Sequence, residues 1–295
     1  MKKSYFLYLL AFVFFFSLSS CEDSTSETPT DLPVFEEEKE LKDVSYGTDP
    51  QQKYDVYLPK NRSASKTKVV VLIHGGGWIE GDKADMKGIY DYLKLFTPEY
   101  AIVNLNYRLA NFTRQPFPMQ IDDIKSVVED LKNKSQEYGI LNEYAFVGVS
   151  AGAHLSMLYS YKYDTEKRVK VVVDVVGPTD FLHSSYTNST NSETQQIAVA
   201  MQLLTGKTIQ NDPAYFEEIS PKYAISAQSP PTIMFYGGID TLVPFQQGEV
   251  LRDKLSQSSI TNEYYLYPQD GHGFSETNIL DALAKSTVFI CTHLK

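Results

Sequence analysis

Cysteine is nearly missing: two in 295 residues, Cys21 and Cys291, which excludes a disulfide framework. Basic clusters are missing as well. Against 37 acidic residues stand 27 lysines and arginines, for a net charge of −10. An acidic chain without a basic stripe excludes nucleic acid as a partner. Long hydrophobic runs are scarce, and the most apolar one, Tyr5 to Leu18, is too short to cross a bilayer as a helix. Five scattered histidines show no ligand spacing, so neither a metal nor another cofactor is expected. No internal repeat is visible, which excludes solenoids and propellers.

What is present begins with an export pattern. Lys2-Lys3 precede the apolar run, and Leu18-Ser19-Ser20-Cys21 closes it. Small residues directly before a cysteine resemble the lipobox of bacterial lipoproteins. The resemblance implies cleavage after residue 20, acylation of Cys21 and a lipid anchor in a bacterial cell envelope. Residues 21–34 are Ser, Thr, Glu, Asp and Pro with hardly an apolar side chain. They bury too little surface to offset their ordering entropy and read as a disordered tether. Removing residues 1–20 takes away Lys2 and Lys3 but no acid, so the remainder is more acidic still. Residues 35–295 suit one α/β domain with a large core.

Along that domain, strands and helices alternate. Lys53–Pro59 alternates and ends on proline, as a half-exposed antiparallel strand does, with Leu41–Tyr46 as its hairpin partner. Val69–Ile73, Tyr100–Leu105, Tyr144–Val147 and Val169–Val176 are continuous apolar runs, expected of strands covered on both faces. Lys87–Phe96 and Gln120–Tyr138 carry apolar residues at helical spacing. From 181 to 229 the pattern is polar, without strands, and short helices are expected at Thr194–Leu204 and Pro213–Ile219. We read this stretch as a cap inserted over the C-terminal edge of the sheet. Regularity returns with a strand at Pro231–Tyr236, a helix at Phe245–Ser258, a strand at Glu263–Tyr267 and a closing helix at Thr277–Leu294. The expected fold is a mostly parallel, doubly wound α/β sheet with an N-terminal antiparallel hairpin. Cys291 falls in the apolar run Ser286–Cys291 and is expected to be a packed, inert thiol.

The chemistry gathers at loops after strands. Gly148-Val149-Ser150-Ala151-Gly152 is Gly-x-Ser-x-Gly between a strand and a helix, the context of a nucleophile elbow. There Ser150 stands at a helix N-terminus, where free N–H groups favour negative charge. Alone the pentapeptide equally describes an ordinary turn, so the companion loops decide. His74-Gly75-Gly76-Gly77-Trp78 follows a buried strand, and its glycines present backbone N–H groups without obstruction. Gly237-Gly238-Ile239-Asp240 and Gly271-His272-Gly273-Phe274 follow the last two strands, where ligands bind in open α/β sheets. The order Ser150, Asp240, His272 is that of an α/β-hydrolase triad. Asp270 is a rival acid but stands too near His272 to reach back to its ring, and Asp174 and Asp180 are weaker rivals. His154, one helical turn beyond Ser150, is expected in helix–sheet packing, and His74 is expected to brace its loop. Trp78 either lines the pocket or caps the core.

Taken together, His74–Trp78, Asn106–Leu109, Phe117–Asp122, Gly148–Leu155, Ser220-Pro221, Pro230–Pro244 and Gly271–Phe274 resemble the α/β-hydrolases of the carboxylesterase/lipase group. More narrowly the chain is similar to small HGGGW-type esterases grouped with acetyl-xylan and feruloyl esterases, related to hormone-sensitive lipase and prolyl oligopeptidase. The resemblance implies a serine esterase with an acyl-enzyme mechanism, catalytic Ser150, Asp240 and His272, and oxyanion N–H groups on Gly76, Gly77 and Ala151. It leaves open which of Gly75–Gly77 donates. The expected partner is a small-molecule or polysaccharide ester; oligomeric state is not legible. A prolyl-oligopeptidase-type peptidase carries Gly-x-Ser-Tyr-Gly-Gly and a propeller, whereas Ala151 stands here. A kynurenine-formamidase-like amidase shares the loops but needs no export signal. An inactive hydrolase fold used for binding would not need all three loops intact.

Overall fold

The computed structural model describes residues 32–295. The export segment, the lipobox Cys21 and most of the tether lie outside the described residues. Among those described, no helix is long and apolar enough to cross a membrane.

One eight-stranded sheet carries the molecule. Its strands are β1 (Lys39–Ser45), β2 (Lys53–Leu58), β3 (Val69–Ile73), β4 (Ala101–Leu105), β5 (Tyr144–Val149), β6 (Val169–Val175), β7 (Thr232–Gly237) and β8 (Asn262–Tyr267). They lie in the order β1-β2-β4-β3-β5-β6-β7-β8. β1 and β2 form an antiparallel hairpin, β2 runs antiparallel to β4, and every further pairing is parallel. β3 and β5 sit at the centre with both faces covered, which is why Val69–Ile73 is unbroken apolar sequence. At this centre Ile73 pairs with Gly148, so the glycine loop after β3 and the serine turn after β5 leave the sheet side by side.

The helices are α1 (Lys87–Phe96), α2 (Met119–Asn133), α3 (Ala151–Leu158), α4 (Ser192–Thr205), α5 (Pro213–Glu218), α6 (Gln246–Gln257) and α7 (Glu276–His293), with shorter turns between. They sort to the two faces of the sheet. Val71, Val103 and Phe146 share a core with Ile124 and Val128 of α2 and Leu155 of α3. Val70, Leu72, Val147 and Val173 share the opposite core with Leu93 of α1 and Phe289 and Ile290 of α7. Alternation along each strand divides the apolar residues between these layers.

Two expectations need correction. The helix expected over 120–138 ends at Asn133, and a separate turn, Ser135–Tyr138, follows and stops at Gly139 with φ +62°. Lys134 between them lies at ψ 3°, outside helical geometry. Cys291 is exposed. A helix turning by 100° per residue buries Ser286, Phe289, Ile290 and Leu294 and carries position 291 to the solvent side. A contiguous apolar run is therefore a poor guide to burial on α7.

Candidate active site

Ser150 closes the turn between β5 and α3 with φ +53° and ψ −119°. A side chain other than glycine at positive φ is strained and persists only where its surroundings hold it. Here its N–H donates to the Val175 carbonyl of β6 at 2.8 Å, and its carbonyl accepts from His154 N at 3.0 Å. The flanking glycines are needed for space. A Cβ on Gly152 would lie 2.1 Å from the Ile73 carbonyl oxygen, and one on Gly148 2.5 Å from the Ala153 backbone.

The structure brings Ser150, His272 and Asp240 into one hydrogen-bonded line. His272 Nε2 lies 3.0 Å from Ser150 Oγ, and His272 Nδ1 lies 2.8 Å from Asp240 Oδ2. The two residues joined by the imidazole come from loops after β5 and β7, which are not neighbours in the sheet. Asp240 is held from its other side: Leu242 N and Val243 N each donate to its Oδ1 at 2.9 Å. The carboxylate is fully buried, whereas the His272 side chain is 30% exposed. With Nδ1–H donated to a buried carboxylate, Nε2 presents a lone pair to the serine hydroxyl.

The glycine loop stands opposite. Gly75 abuts the serine turn, since a Cβ there would lie 3.2 Å from Ser150 Cβ. Gly76 adopts φ +109° and Gly77 φ +55°. The Gly76 carbonyl accepts from Ile79 N at 3.1 Å and Glu80 N at 3.0 Å, which curls the loop back on itself. Among the described residues, no acceptor takes the N–H of Gly76 or of Gly77. Ala151, the first residue of α3, likewise has no intrahelical partner for its N–H. Free N–H groups beside a nucleophilic hydroxyl are the arrangement that stabilises the carbonyl oxyanion formed by its attack.

The family model for BD-FAE matches residues 54–255. The chain belongs to the BD-FAE family. Among curated proteins this BD-FAE chain is similar to Esterase LipC of Mycobacterium tuberculosis, 27% identical over 244 residues, 78% of this chain and 59% of that protein. It is also similar to the isoprenylcysteine alpha-carbonyl methylesterase ICME of Arabidopsis thaliana, 24% identical over 78% of this chain and 55% of that protein. The chain thus spans little more than half the length of these relatives. Among solved structures it superposes on a truncated carbohydrate esterase from gut microbiota with TM-score 0.69 and 19% identity, covering 85% of this chain and 96% of that one. A second is the acetyl ester-xyloside bifunctional hydrolase of Caldicellulosiruptor lactoaceticus, with TM-score 0.63 and 18% identity, covering 90% and 93%. These likenesses establish the α/β-hydrolase fold.

The remaining charged candidates of the BD-FAE chain lie elsewhere. Asp270 accepts from Ser275 N at 3.1 Å and from Asn278 Nδ2 at 2.7 Å, fastening the start of α7. Asp180 pairs with Lys222 at 2.7 Å. Asp174 is buried, with Tyr236 Oη at 2.7 Å and Gly177 N at 2.9 Å, and burial pushes its carboxyl up to about 7. His74 donates from Nδ1 to the Gly75 carbonyl at 2.7 Å and stacks on Tyr107 at 4.3 Å between ring centres, so it braces the loop.

His154 packs among Trp78, Phe117 and Phe181 rather than between helix and sheet. Its Nε2 donates to the Ile219 carbonyl at 2.7 Å, and burial pulls its pKa down to about 4, so the ring is neutral. Trp78 is 2% exposed and belongs to the core. Among the described residues no group of three His, Cys, Asp or Glu side chains is arranged to hold a metal ion.

Sequence reasoning assigned no work to Asn106–Leu109, yet this segment supports the glycine loop. Tyr107 Oη donates to the His74 carbonyl at 2.9 Å. Arg108 makes a forked pair with buried Asp123, which also accepts from Gln52 Nε2 at 2.8 Å. Tyr186 was missed too: its hydroxyl is buried without a partner, and burial, then the charges of Asp240 and Asp180, push its pKa well up. The first turn of α4 holds the loop of Asp240 directly. Thr194 Oγ1 donates to the Thr241 carbonyl, and Thr241 Oγ1 donates to Glu193.

Proposed function

We propose that this chain is a serine carboxylic-ester hydrolase. The observation that carries it is the line Ser150–His272–Asp240, 3.0 and 2.8 Å between successive atoms, beside unpaired backbone N–H groups. Ser150 Oγ attacks the ester carbonyl carbon while His272 Nε2 takes its proton, and the buried Asp240 carboxylate stabilises the imidazolium. The negative carbonyl oxygen of the tetrahedral intermediate is received by N–H groups of Gly76, Gly77 and Ala151. The C–O bond to the alcohol then breaks, and His272 returns the proton to the departing oxygen. Water repeats the sequence on the acyl-enzyme, releasing the carboxylic acid and restoring Ser150.

The substrates we infer are short acyl or feruloyl esters of polysaccharides or related polyols. Support comes from the carbohydrate esterase and acetyl ester-xyloside hydrolase among structural neighbours, and from the export pattern of residues 1–21. From that pattern we infer a lipid anchor at Cys21, with residues 21–34 as tether. Ser150→Ala tests the assignment. Loss of the nucleophile lowers turnover by on the order of 10⁶, with the melting curve unchanged. Substantial hydrolysis of 4-nitrophenyl acetate by the variant would refute it.

A further inference from the structure

Parallel strands at the middle of a sheet are covered by helices on both faces, yet Val149 of β5 and Val175 of β6 are only partly buried. The cause lies in the two helices of that face. α1 packs against β4 and α7 against β6 and β7, on either side of β5. Between them remains a crevice of about 460 Å³, well within the range of ligand sites. Its floor is Val149 and Val175, its walls Ile89 of α1 and Leu283 of α7, and His272 and Phe274 form one side. Ile279 and Leu280 of α7, 43% and 52% exposed, extend the apolar surface outward. His272, whose Nε2 lies 3.0 Å from Ser150 Oγ, thus also borders the crevice, and Val149 of the floor immediately precedes Ser150.

We propose that this crevice is the acyl subsite and takes an apolar acyl group longer than acetyl. The inference rests on the esterase reading above, in which the alcohol is a polyol. Sugar hydroxyls placed against valine and leucine would lose water without gaining partners. Few polar groups line the crevice: His272; Asp85, whose Oδ2 already accepts from Asp82 N at 2.9 Å; Tyr92; and Ser286. An alkyl or aryl chain meets no such penalty, and it covers apolar surface that otherwise faces water. The polyol is thereby left to the open side of Ser150.

Gly88 provides the test. It lies in α1 four residues before Tyr92 and three after Asp85, both of which line the crevice, so a side chain at 88 falls on that face. A Cβ there meets nothing within 4 Å, and leucine favours a helix over glycine, so Gly88→Leu extends into the crevice from an unobstructed Cβ. Purified full-length protein and variants are assayed on 4-nitrophenyl acetate, butanoate and octanoate, and separately on ethyl and octyl acetate.

In the wild type, kcat/KM on octanoate is expected to exceed that on acetate, and Gly88→Leu to lower the octanoate-to-acetate ratio at least about tenfold. Ser286→Leu, filling the same space from α7, is expected to lower it likewise and stands in should Gly88→Leu fail to fold. An unchanged acyl ratio in a folded variant overturns the subsite. So does a ratio that moves only when the alcohol is lengthened, since the crevice would then hold the alcohol. A wild-type chain inert on every ester would overturn the esterase reading itself, a result distinct from both.

Discussion

The indole Nε1 of Trp78 lies 3.4 Å from Nδ1 of His154, tying the glycine loop after β3 to the first turn of the helix that begins at Ser150. Because His154 Nε2–H is donated to the Ile219 carbonyl, Nδ1 is the acceptor, and both atoms are buried. The same imidazole thus joins the glycine loop, the serine helix and the segment after α5.

Trp78→Phe removes the donor and keeps an aromatic ring among its neighbours. The stranded acceptor is expected to cost about 1–3 kcal/mol of unfolding free energy. A double-mutant cycle with His154→Leu, measured by urea unfolding, is expected to return a coupling of about 0.5–3 kcal/mol. Strict additivity would mean that the pair contributes packing only.

Gly152→Ala puts a methyl group 2.1 Å from one main-chain oxygen and 2.3 Å from another, those of Ile73 and His74. Backbone at the sheet centre cannot yield as a flexible side chain would. A loss of about 2–3 kcal/mol is expected, which for a domain of this size lowers Tm by about 5–10 °C. Gly88→Ala, in open space on α1, serves as the control and is expected to leave Tm unchanged or raise it. Equal melting of the two variants would contradict the close packing of the serine turn.

Asp174 gives a pH signature. Its folded pKa of about 7 lies above the ordinary carboxyl value of 3.8, so the native state binds a proton that the unfolded chain releases. That contribution is fully present below about pH 4 and is lost as pH rises to about 7. His154 has the opposite sign: its folded value of about 4 lies below 6.5, so its contribution is lost as pH falls from 6.5 toward 4. The two slopes oppose each other in the wild type. Asp174→Asn removes only the first, so its stability relative to wild type is expected to rise between pH 4 and 7 by on the order of a few kcal/mol. Parallel stability curves from chemical denaturation across that range would exclude a neutral native carboxyl.

Much of this architecture was legible because the determinants are local. Val69–Ile73 is too apolar and too short to be anything but a covered strand, and the helix at Lys87–Phe96 follows from its spacing. Ser150, Asp240 and His272 were legible as candidates because each follows a strand, and parallel strands deliver their loops to one edge. What stayed hidden depends on rotation and on distant partners. Cys291 turns outward by its phase on α7, which no run of apolar neighbours reveals. The pairing of Arg108 with Asp123 joins the end of β4 to α2. Trp78 and His154 find each other across 76 positions. The crevice between α1 and α7 leaves no trace in the sequence of either, because it depends on where each is seated on the sheet.

The fastening of Thr241 to Glu193 and Thr194 has a mechanical outcome. Thr241 is the immediate neighbour of Asp240, so the first turn of α4 and the carboxylate share an anchor. A displacement of that turn is therefore passed through Thr241 to the Asp240 carboxylate.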